Sequence, residues 1–60
     1  MTNHEIIVEQ FNIYLAENAK LTNKGVKASA ARARKAIQEI TKAGKGRRKE
    51  IMDEKAAIGS

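Results

Sequence analysis

Residues 28–51 read ASAARARKAIQEITKAGKGRRKEI. The stretch holds eight lysines and arginines against two acids, and no aromatic, cysteine or histidine side chain. Alanine, arginine, lysine, glutamate, glutamine and isoleucine mostly favour helix. No proline occurs anywhere in the chain, and no segment alternates as a strand would. Wound as a helix, Val26, Ala30, Ala33, Ile37, Ile40, Gly44, Arg47, Ile51, Glu54 and Ile58 recur at spacings of four and three. That repeat makes a coiled-coil-like seam, and its small residues allow a partner helix to come close. The spacing predicts one helix over about 26–57, with a bend or frayed turn as the alternative at Gly44–Gly46, where each glycine costs about 1 kcal/mol relative to alanine.

A second amphipathic pattern precedes it. Ile7, Phe11, Tyr14, Asn18 and Leu21 share one helical face, extended on one side by Val8 and Leu15, with Ile6 and Ile13 on the opposite flank. Thr2 followed by Glu5 has the form of a capping box, in which each side chain satisfies the other's free backbone amide. These signals predict a helix over about 3–21. Thr22-Asn23-Lys24-Gly25 reads as the break, since Asn23 or Gly25 can take the left-handed conformation that ends a helix.

The expected fold is all-α, an antiparallel helical hairpin in a single domain over residues 1–60, with a longer second helix. At about 1.5 Å per residue the first helix is roughly 28 Å long and the second roughly 48 Å. The first therefore covers the second only to about residue 44, leaving Ile51, Met52 and Ile58 uncovered in the same chain. A homodimer of hairpins in a four-helix arrangement would cover them. Ile7, Phe11, Tyr14, Leu15, Ile37, Ile40, Ile51 and Met52 are the expected packing residues of the hairpin or the oligomer.

Charge is distributed unevenly along the chain. Residues 1–23 sum to −2, residues 24–49 to +9 and residues 50–60 to −2, giving the net +5 of the whole. With the seam turned toward the first helix, Lys27, Arg34, Lys35, Lys42, Lys45 and Lys49 fall on one flank and the adjoining outer face. Arg32 lies on the opposite outer edge, and Arg48 projects near the seam. A solvated face with pairs such as Lys35–Glu39 is the ordinary explanation of a charge run. Here most of the acids needed to neutralise the run are missing, so the stripe reads as a surface for a polyanion.

Such a stripe grips phosphates through charge and counterion release without reading sequence. Phe11 and Tyr14 lie on the apolar face of the other helix, which argues against recognition by base stacking. Gln38 is the one candidate for a base edge. Asp53 and Glu54 would repel phosphate and are expected to trim the helix end or to pair with Lys49 and Lys55. Nothing resembles a catalytic centre or a cofactor site. The chain has no cysteine, and Ser29 and Ser60 lack a base. His4 stands alone as a first-turn surface residue, so no metal is expected. No apolar run approaches the roughly 18 residues of a membrane span, and the N-terminus lacks the order of a secretory signal. The expectation is a cytoplasmic protein with no small-molecule substrate.

The segment Val26 to Ile51 resembles the linker-histone-like proteins of bacteria, the family of the chlamydial histone-like developmental protein. Lys27, Ala28, Arg32, Arg34, Lys35, Ala36, Glu39, Ile40, Lys42, Lys45, Arg48, Lys49, Glu50 and Ile51 carry the resemblance without a gap. Val26 stands where the family has asparagine, Gly44 and Gly46 enter a region of good helix formers, and the Lys/Ala/Pro-rich tail of the chlamydial members has no counterpart in these residues. The resemblance implies a nucleoid-associated protein that binds duplex DNA with little sequence preference and condenses it. Lys27, Arg32, Arg34, Lys35, Lys42, Lys45, Arg48 and Lys49 are then the expected phosphate ligands, and a dimer with two stripes would bridge duplexes. The residues by themselves leave DNA and RNA both open, and leave a helical module docking an acidic protein as the alternative.

Overall fold

The computed structural model describes residues 1–59, which form two α-helices, α1 (Asn3–Lys24) and α2 (Lys27–Gly59), packed against each other as an antiparallel hairpin. The molecule measures 51 × 17 × 15 Å. Its long dimension is that of α2 alone, which at about 1.5 Å per residue spans roughly 50 Å.

The first helix begins with the capping box. The Glu5 amide donates to the Thr2 hydroxyl at 3.1 Å, and the Thr2 amide donates to Glu5 Oε1 at 2.8 Å. The Thr2 amide, and after it the Thr2 hydroxyl, hold the Glu5 carboxyl below its ordinary value. At the other end α1 runs through Thr22 and Asn23, which were expected to break it. The Thr22 hydroxyl donates to the Asn18 carbonyl at 2.9 Å and so turns back into the helix. Gly25 is the residue that stops it, at φ 64° and ψ 31°. Its amide reaches the Leu21 carbonyl at 3.1 Å, and the Val26 amide reaches that of Lys20 at 3.3 Å. The first of these is the five-residue closure of an αL ending, and it needs a residue that takes positive φ without strain.

The second helix continues without a break through Gly44 and Gly46. Gly46 has a role there, because a Cβ at that position would lie 2.5 Å from Asn3 Nδ2. The Asn3 side chain crosses over the glycine and donates to Glu50 Oε2 at 3.0 Å, tying the start of α1 to α2. A Cβ at Gly44 would meet nothing within 4 Å.

The seam between the helices is a correction to the expected one. The buried residues of α2 are Ser29, Ala33, Ala36 and Ala43, with Ile40 and Arg47 half-buried on the same repeat. The expected line through Ala30, Ile37 and Gly44 is displaced by one residue, a turn of about 50° about the helix axis. On α1 the facing residues are Asn3, Ile7, Gln10, Tyr14, Glu17 and Leu21, all buried or half-buried. Phe11, Leu15 and Ile37, expected to pack in the hairpin or in the oligomer, lie off the buried seam, with Phe11 50% and Ile37 48% exposed. The reason lies in Glu17. A carboxylate entering the seam needs donors, and α2 supplies them from Ser29 and Arg32 only when turned this way. Alanine at the remaining contact positions lets the two backbones approach.

Candidate nucleic-acid interface

Turning α2 moves its charge. With the seam centred on Ala33 and Ala36, the direction opposite to α1 points between Arg34, Lys42 and Lys45. Lys27, Arg34, Lys35, Lys42, Lys45, Arg48 and Lys49 are all exposed, and none makes an ion pair within 4.0 Å among the described residues. The basic face is thus centred on the back of the hairpin, away from α1, rather than on one flank and the adjoining outer face. Arg48, expected near the seam, stands free of it. The expected Lys35–Glu39 pair is not among the ion pairs formed, and Glu54 pairs with Arg47 at 2.8 Å instead of with a lysine. Arg47 also reaches Glu50 at 3.5 Å, so this arginine is held between acids on its own helix.

Arg32 differs from the rest of the expected ligands. Its guanidinium lies 3.4 Å from Glu17 Oε1, on the side of α2 turned toward α1. Glu17 is only 7% exposed and accepts from the Ser29 hydroxyl at 3.1 Å, while Lys20 lies at 3.7 Å. Ser29 is fully buried. Reading residues along the chain missed this cluster. Its signal was a polar heptad: Asn3, Gln10 and Glu17 recur every seven residues, in phase with Ile7, Tyr14 and Leu21.

A separate surface is apolar. The antiparallel register, set by Glu17 beside Ser29 and Asn3 beside Gly46, brings Phe11 and Ile37 to the same level. Val8, Phe11 and Leu15 of α1 and Val26, Ala30 and Ile37 of α2 then share one side of the hairpin. Phe11 and Tyr14 stack on α1 with centroids 6.5 Å apart. Residues 48–59 are all exposed, Ile51, Met52 and Ile58 included, although Asn3 of α1 reaches in to Glu50.

Among the described residues no helix is long and apolar enough to cross a membrane. No curated protein and no solved structure matches the chain significantly. A family model does: it describes the histone H1-like protein Hc1 and matches residues 1–57. With nearly its whole length matched, the chain belongs to the Hc1 family of histone H1-like proteins.

Proposed function

We propose that this protein binds duplex DNA with little sequence preference through the back of α2, and compacts or bridges it as an oligomer within the nucleoid. The observation that carries the reading is the free basic face: seven exposed cations on one helix, none neutralised by an acid. Self-repulsion on that face is relieved when phosphates replace the missing acids. Membership of a histone H1-like family supports DNA as the polyanion. The aromatic pair lies on another surface, so base stacking contributes nothing to this mode.

The oligomer rests on the exposed apolar surfaces. Phe11, Leu15 and Ile37 on one side, and Ile51, Met52 and Ile58 at the free end, are large side chains left in water by the single chain. A homodimer joined through either surface would carry two basic backs, which is what bridging two duplexes requires.

Titration against mixed-sequence duplex DNA over a range of salt concentrations tests the binding. If about six phosphates are engaged, the slope of log K against log salt should lie near −5. Absence of binding at low salt would defeat the reading. Sedimentation across concentration tests the oligomer, and a monomer at high micromolar concentration would remove the bridging step.

A further inference from the structure

The basic back of α2 is wider than a single file of charge. At about 100° per residue, Arg34 and Arg48 lie on one shoulder and Lys35 and Lys42 on the other, roughly 100° apart around the axis. Lys27, Ala31, Gln38, Lys45 and Lys49 lie between the shoulders, and all nine residues are exposed. The breadth of this face constrains how a polyanion sits on it. A helix resting on the outside of a duplex offers it one narrow line, and cations on both shoulders then point past it. Phosphates flank a helix on both sides only when it lies between two strands. An α-helix with its side chains is about 10–12 Å across. The major groove of B-form DNA is about 12 Å wide and the minor groove about 6 Å.

We infer that α2 seats in the major groove of B-form DNA, with Arg34 and Arg48 on one phosphate strand and Lys35 and Lys42 on the other. The line through Lys27, Ala31, Gln38, Lys45 and Lys49 then faces the groove floor, where each lysine can bend its long side chain to either phosphate strand. α1 lies on the opposite side of α2 and stays outside the groove. Arg32 belongs to neither shoulder, because Glu17 holds it toward α1. Where the lysines of that line turn to phosphate it reads little sequence, since alanine offers only a methyl group and Gln38 is then the side chain left to pair with a base. The same geometry selects against double-stranded RNA, whose major groove is deep and too narrow for a helix.

This inference rests on the DNA reading above, and one set of titrations separates the two. The full chain is titrated, at one salt concentration, against four ligands of about 20 base pairs, two helical turns. These are a plain DNA duplex, the same duplex with glucosylated hydroxymethylcytosine filling its major groove, the plain duplex saturated with netropsin in its minor groove, and double-stranded RNA. The expected result is binding about tenfold weaker for the glucosylated duplex and the RNA, with netropsin without effect. Equal binding to the plain and glucosylated duplexes, or displacement by netropsin, would overturn major-groove seating and leave DNA binding intact. Failure to bind the plain duplex would overturn both.

Discussion

The two lengths of α2 are built on opposite rules. From Ser29 to Arg47 it is covered by α1, and what it buries there is small: one serine and three alanines, with Ile40 half-covered. From Arg48 to Gly59 every residue is exposed, although Asn3 still reaches in to Glu50, and this length displays Ile51, Met52 and Ile58. The large apolar groups are thus where the single chain cannot bury them, and the buried seam is made of groups that contribute little area. Close approach and a satisfied polar cluster hold the hairpin, while the bulk is left for other contacts. A 60-residue chain has few ways to build a large core alone, and this one does not attempt it.

Enlarging the seam should break that contrast most strongly. Ala36 is 1% exposed, so Ala36→Leu forces the backbones apart at an expected cost of about 2–3 kcal/mol. In a domain of this size that lowers Tm by about 10–20 °C in a circular-dichroism melt. Ala56→Leu in the uncovered length should leave Tm unchanged. Equal effects at both positions would mean that the covered length is not the tightly approached one.

Removing the polar cluster comes next. Glu17→Ala strands the buried Ser29 hydroxyl without its acceptor, and the expected loss is about 2 kcal/mol in urea unfolding. The double variant with Ser29→Ala should lose less than the sum of the two single variants. Additive losses would show that the hydroxyl and the carboxylate do not depend on each other.

The glycines sharpen the boundary between the two lengths. Gly44→Ala meets open space and should stabilise the helix by about 1 kcal/mol. Gly46→Ala should gain about 0.5 kcal/mol or less, because the new methyl group displaces Asn3 from Glu50. Matching gains would mean that the Asn3 bridge contributes nothing.

The smallest effect is set by pH at the start of α1, where the cover ends. Glu5 has its carboxyl lowered in the folded chain by the Thr2 amide, so the cap is fully present above the ordinary carboxylate range and is lost as pH falls below that range through the lowered value. Helix content of the wild type should therefore decline slightly on acidification, in a step that is absent from Glu5→Gln. An identical acid profile for the two proteins would remove the capping carboxylate from the account.

Two helices, their unequal lengths and the basic stripe were legible in the sequence, because spacing, capping residues and charge are local properties. The rotation of α2 was not. Ile37 and Phe11 satisfy the four–three rule as well as Ala36 and Tyr14 do, and apolar periodicity favours the larger groups. What decides between them is a polar requirement from the other helix: Glu17 must find Ser29 and Arg32. The same requirement removes Arg32 from the free stripe, although its residue type and its neighbours suggested phosphate. Gly46 likewise reads as a weakness until Asn3 is seen crossing over it.

The Asn3 bridge and the Glu17 cluster stand near opposite ends of the overlap, and together they fix how the chain can change in length. One residue inserted into α2 between Ser29 and Gly46 would turn everything after it by about 100°, carrying cations into the seam and breaking one of the two ties. Growth there is tolerable only in matched steps of seven in both helices. Past Glu50 the register is unconstrained, so the free end is where residues can be added or lost without disturbing the hairpin.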